Sequence, residues 1–181
     1  AVYQDRVRRD LQAGVVEALT ALTGVAARAS IRTDATTDAR GPGDARAQAL
    51  TIVYRTLFLL FAESRALVPS AHPLYADAYS VSTLAREALD GATRGSWDAL
   101  AAIPRLARDG CRSAHLVMAP FGGALFARAS ASSLESGSRT RRTGGRRVAE
   151  RDRALGDALV ALASRPGRAG RQGQGAEDRG P

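Results

Sequence analysis

The sequence predicts a mainly α chain, an irregular helical bundle or connector domain followed by a disordered basic C-terminal tail. Three observations carry this. Aromatic residues make up 5% of the 181 residues while Ala and Leu dominate the apolar set, which favours helices packed through small side chains over a β-sandwich. Apolar residues recur at helical spacing in several stretches. After Arg128 the apolar pattern nearly stops.

Residues 3–29 predict a long helix, with Val7, Leu11, Val15, Leu19 and Leu22 directed inward. Gly14 and Gly24 each cost about 1 kcal/mol against Ala, so a bend or an early stop is expected. Thr33–Gly43, ending in Gly-Pro-Gly, is a linker by composition. Asp44 is placed to cap the next helix, which holds the most apolar stretch, TIVYRTLFLLFAESRALVP, from Thr51 to Pro69. Arg55, Glu63 and Arg65 interrupt that stretch, leaving it short of the roughly 20 apolar residues of a membrane span. Leu50, Val53, Tyr54, Leu57, Phe58 and Phe61 form one stripe, and Ile52, Leu59 and Leu60 make the other side apolar too, as expected of a central helix. Arg55 in that setting needs a partner; Glu63, two turns on, predicts a structural ion pair. Pro69 is expected to end the helix, with a turn at 70–73.

Ser80 or Ser82 is placed to cap a short helix over 83–89, stopped by Asp90-Gly91. Ser96 is placed to cap a helix over 97–108, kinked at Pro104 and ended at Asp109-Gly110. His115–Phe126 is expected to be extended or looped. One short amphipathic helix is expected near 153–163 within the tail. The expected organisation is an N-terminal helix (1–32), a linker (33–43), a connector domain (44–127) and the tail (128–181).

All 26 basic residues are Arg, a bias that reflects GC-rich coding more readily than function. Residues 1–127 hold 14 Arg against 12 acids, and residues 128–181 hold 12 against 6, so most of the net +8 lies in the tail. Arg141, Arg142, Arg146 and Arg147 are the densest cluster and the candidate nucleic-acid contacts, through phosphate charge rather than base stacking, since no aromatics interleave them. Cys111 is the single cysteine, which excludes an internal disulfide, and the charged N-terminus lacks a signal peptide's apolar core; a cytoplasmic location is expected. Cys111 and His115 stand four apart, yet His72 is the one other His, so a metal site is not expected. Gly122-Gly123 lacks a phosphate-loop pattern, and no Ser-His-Asp arrangement is legible. No catalytic constellation, cofactor site or metal site is read from these residues.

Three segments in order, YRTLFLLFAESRALVP (54–69), HPLYADAYSVSTL (72–84) and APFGGALF (119–126), resemble the helical region that precedes the methyltransferase core in single-chain restriction–modification enzymes. These are type II adenine-specific DNA methyltransferases, often fused to a nuclease, and related phage-exclusion methyltransferases. WDALAAIPRLARDGC (97–111) is similar to the family's Trp-initiated helix between those segments. The likeness spans roughly 45–127; Gly122 stands where the family usually has Asn, and Val81 where it has Leu. It implies a non-catalytic segment that positions a catalytic domain and touches DNA backbone through arginines. S-adenosylmethionine and the Asn-Pro-Pro-Tyr motif that holds the flipped adenine would belong to that further domain; neither the motif nor its Gly-rich loop occurs in the 181 residues. The alternatives are a free-standing basic protein that binds nucleic acid without sequence preference, and a helical protein–protein adaptor.

Overall fold

The computed structural model describes residues 2–30, 42–132, 134 and 145–163. The chain is mainly α. Six α-helices occur among these residues: α1 (Val2–Ser30), α2 (Pro42–Ser64), α3 (Pro73–Ala78), α4 (Val81–Leu89), α5 (Ser96–Asp109) and α6 (Gly145–Ala163). Two 3-10 turns, Ala124–Phe126 and Arg128–Ala131, and a two-residue antiparallel pair, β1 (Cys111–Arg112) with β2 (Val117–Met118), complete it. The linker expected at 33–43 lies outside the described residues up to position 41, and α2 already begins at Pro42, where a proline's fixed φ suits a first turn.

α1 runs unbroken through both glycines. Its buried stripe is Gly14, Ala18, Leu22, Val25 and Ala26, one position round from the stripe expected, and Leu11 is exposed. The reason is α6. A Cβ on Gly14 would collide with the backbone carbonyl of Ala161, so glycine lets α1 and α6 meet backbone to backbone. Across α6, Gly156 faces Thr93 and Ala88 with the same lack of room, and Leu155, Ala158, Leu159 and Leu162 are buried. α6 is therefore the element that α1, α4 and α5 share. The expected short helix at 153–163 starts eight residues earlier, at Gly145, because its first two turns are polar and exposed and carry no apolar period.

The segment after Arg128 also continues inward: Ala131 and Leu134 are buried in the same cluster as Leu22, Ile52, Trp97 and Leu159. Residues expected in an N-terminal helix, a connector and a tail thus share one apolar core. The tail proper, from Ser164, and the stretch 135–144 lie outside the described residues.

α2 buries Ala45, Ala49, Ile52, Thr56, Leu59 and Glu63, and sets Tyr54, Phe58 and Phe61 toward solvent. Of the stripe expected inward, Val53 is buried and Leu50 and Leu57 are half-buried, while its three aromatic residues face out. The helix ends at Ser64, before Pro69: the amide of Leu67 donates to Ala62 O (2.9 Å) and that of Ala66 to Glu63 O (3.1 Å), a Schellman closure with Ala66 left-handed at φ 53°. Residues 73–78, partly expected as a turn, form the one-and-a-half-turn α3 with Pro73 at its start.

Two glycines on one helix should respond with opposite sign. Gly24 is exposed with open space around its Cα, so Gly24→Ala should stabilise by about 1 kcal/mol through helix propensity. Gly14→Ala gains the same propensity but drives a methyl into α6, and should lose about 1–3 kcal/mol net in urea denaturation.

Candidate functional site

Two ionisable side chains point into the protein from α2, and each is held by a different distant segment. Arg55 is 1% exposed. Its Nε donates to Leu125 O at 2.9 Å and its Nη2 to Ala127 O at 2.7 Å, while the ring of Phe126 lies 5.5 Å from the guanidinium carbon. Arg108 of α5 donates from Nη1 to Phe126 O at 2.6 Å. Three successive carbonyls at and just past the end of a 3-10 turn thereby meet two planar cations, that of Ala127 also accepting from the Ser130 amide at 3.1 Å.

Glu63 is 8% exposed and accepts four hydrogen bonds. Tyr75 Oη (3.2 Å) and Ser80 Oγ (3.1 Å) donate from side chains, and the amides of Val81 (2.8 Å) and Ser82 (2.9 Å) from backbone. Those amides are the first two of α4, where a carboxylate meets both unpaired donors and the positive end of the helix dipole. Ser80 is the N-cap proper, accepting from Thr83 N at 3.1 Å; Ser82 is not. Burial first, then the charge and the hydrogen bond of Glu63, hold the Tyr75 phenol well above its ordinary value.

The ion pair expected between Arg55 and Glu63 is therefore not the arrangement found. Eight residues of helix separate them by about 12 Å along the axis, and each finds partners nearer at hand. Both are structural ties: Arg55 joins α2 to 125–127, and Glu63 joins α2 to α3 and α4.

A third tie was not legible locally. Ser96 does not cap α5; its N-cap is Gly95, left-handed at φ 82°. The cap comes from α6, where Asp152, 3% exposed, accepts from Gly95 N (2.7 Å) and Trp97 N (3.1 Å). Ser96 Oγ instead donates to the backbone carbonyl of Asp152 at 3.3 Å, and Arg151 lies over the Trp97 ring at 5.5 Å. The signal available was an aspartate one turn ahead of the Leu155–Leu162 apolar run.

Of the four candidate nucleic-acid contacts, Arg141 and Arg142 lie outside the described residues. Arg146 and Arg147 sit exposed in the first turn of α6. Arg146 Nε is 4.0 Å from Glu150 Oε1, and Arg28 from the end of α1 reaches Glu150 Oε2 at 3.4 Å. These exposed pairs are worth little energetically, but they bring two guanidiniums, Arg28 and Arg146, to one carboxylate where α1 ends and α6 begins. Cys111 and His115 are not on one helix: the first is in β1, the second in the turn beyond it. Among the described residues no group of three or more His, Cys, Asp and Glu is placed to hold a metal ion, and no helix is long and apolar enough to cross a membrane. Gly122 serves packing: its amide and that of Phe121 both donate to Ala107 O (2.8 and 2.9 Å), and a Cβ there would press on that carbonyl and on Phe126.

Glu63→Gln places amide hydrogens against donors and should cost about 2–3 kcal/mol in chemical denaturation, whereas Arg65→Gln, exposed two residues on, should stay within about 0.5 kcal/mol. Tyr75 sets an alkaline limit. Below pH 10 the phenol is neutral in both folded and unfolded chains; above it only the unfolded chain ionises, so stability should fall with a slope approaching about 1.4 kcal/mol per pH unit. Tyr75→Phe should lose that slope, read as melting temperature against pH from 9 to 11.5.

Comparisons with protein-family models, with characterised proteins and with solved structures each found no match, so the reading of function rests on this geometry and on the resemblance of the three segments.

Proposed function

We propose that the chain is a non-catalytic helical scaffold segment of an adenine-specific restriction–modification methyltransferase, a piece that positions a catalytic domain. The observation that carries this reading is where the resembling residues meet. Arg55 and Glu63 belong to the first resembling segment. Arg55 is bound by the third, at Leu125, and Glu63 by the second, at Tyr75, Ser80, Val81 and Ser82. A resemblance made of residues that tie three segments together is one of architecture, as a positioning scaffold requires. Arg55 and Glu63, the two buried charged residues of those segments, are both engaged in fold-holding contacts.

Translation of the genomic DNA beyond the Pro181 codon is the direct test. An in-frame or adjacent frame with an Asn-Pro-Pro-Tyr methyltransferase motif supports the proposal, and its absence overturns it. The purified chain should also show no saturable heat of binding with S-adenosylmethionine by titration calorimetry.

A second reading, nucleic-acid contact without sequence preference, is favoured by the exposed Arg28 and Arg146, which share Glu150, and by the exposed Arg147 next to Arg146 in sequence. Deleting 128–181 would remove α6 and with it the core, so substitution is the cleaner test. Arg146→Ala with Arg147→Ala should lower the slope of log affinity against log salt for duplex DNA by up to about 2 and weaken all sequences alike.

A further inference from the structure

The aromatic members of the apolar stripe expected in the core are on the surface. Tyr54 (54% exposed), Phe58 (38%) and Phe61 (54%) stand in a row on the outer face of α2, with Leu50 and Leu57 half-buried beside them and Leu67 exposed just past the helix end. Phe58 is braced by Phe121 and Phe126 at centroid distances of 6.4 and 5.7 Å, so the middle of the row is held in place. The three rings alone expose about 300 Å², taking roughly 200 Å² for a whole aromatic side chain.

What covers it can be narrowed by elimination. The chain's own remaining residues offer little to cover it: outside the described residues the sequence holds one large apolar side chain, Ile31, and 164–181 has nothing more apolar than Ala and Pro. A second copy is disfavoured by charge. Arg46 and Arg65 bracket the row, Arg65 stacking over Phe61 at 5.5 Å, and the acids of α2 are elsewhere, Glu63 buried and Asp44 bonded to Gln48. The segment beside the row, Gly110 to Leu134, contains Arg112 and Arg128 and no Asp or Glu. A two-fold pairing sets arginine against arginine, whether the helices run parallel or antiparallel. A carboxylate-bearing partner meets both features.

We infer that the Tyr54–Phe61 face of α2 docks an amphipathic helix from a different protein or domain, apolar at i, i+3, i+4 and i+7 and flanked by Asp or Glu that pair with Arg46 and Arg65. The exposed area is that of a small interface, so the complex is transient, with affinity in the micromolar range. The inference does not rest on the family reading above.

Two designed helical peptides test it on the full chain by fluorescence anisotropy. Both carry Leu at the four anchor positions; one has Glu on its flanks, the other Lys. The acidic peptide should bind saturably, at least tenfold tighter than the basic one. Phe61→Ser should weaken it about tenfold at unchanged melting temperature, since that ring is largely exposed, and Arg46→Glu with Arg65→Glu should reverse the preference. No saturable binding of the acidic peptide, equal binding of both, or indifference to Phe61→Ser overturns the inference. So does a dimer of the protein alone in sedimentation that Phe61→Ser disperses, because the face would then cover itself.

Discussion

Two buried ionisable side chains on one helix set the geometry of the rest. A guanidinium and a carboxylate removed from water are tolerated only when their hydrogen-bonding capacity is met inside. Arg55 and Glu63 are 1% and 8% exposed, so the segments that bind them cannot drift without leaving a charge stranded. Leu125 and Ala127 must present their carbonyls to Arg55, and the start of α4 must present its amides to Glu63. This explains why α2 turns its polar interruptions inward and its aromatic row outward, against the usual partition of helix faces. Bulk hydrophobicity gives a helix two apolar sides and no preference; the two charges choose between them.

The C-terminal helix supplies the second constraint. α6 is approached closely through a glycine on each of two sides, Gly14 of α1 against Ala161 and its own Gly156 against Thr93 and Ala88, and it offers Asp152 to cap α5. Small residues permit the approach, and the carboxylate makes it specific. A helix that reads as an appendix to a basic tail is in this way the piece against which α1, α4 and α5 are assembled.

Local signals in the sequence were legible where they act locally. The α1 span, the stop at Asp90-Gly91, the Ser80 cap and the end of α5 at Gly110 follow from periodicity, capping and glycine at positive φ. Features requiring knowledge of a distant partner were not legible. Nothing near Ser96 tells that Asp152, more than fifty residues later, supplies the cap. Nothing near Gly14 tells that it is needed for α6 rather than tolerated. The ion pair read between Arg55 and Glu63 identified two residues that need partners and assigned them to each other, because the carbonyls and amides that satisfy them carry no signature in sequence. Of the candidate contacts, Arg146 and Arg147 were found as an exposed pair, and Arg28 beside them becomes visible only through folding.

Glu63 binds α4 to the core as a single cooperative unit. Native-state hydrogen exchange at the amides of Val81 and Ser82 tests it most directly, because these are the protons the carboxylate holds. Ordinarily the first amides of a helix fray and exchange freely. Protection at both amides should equal that of the core amides of α2, with exchange only through global unfolding. Exchange at the rate of exposed helix ends would show that α4 opens independently and that the carboxylate does not hold it.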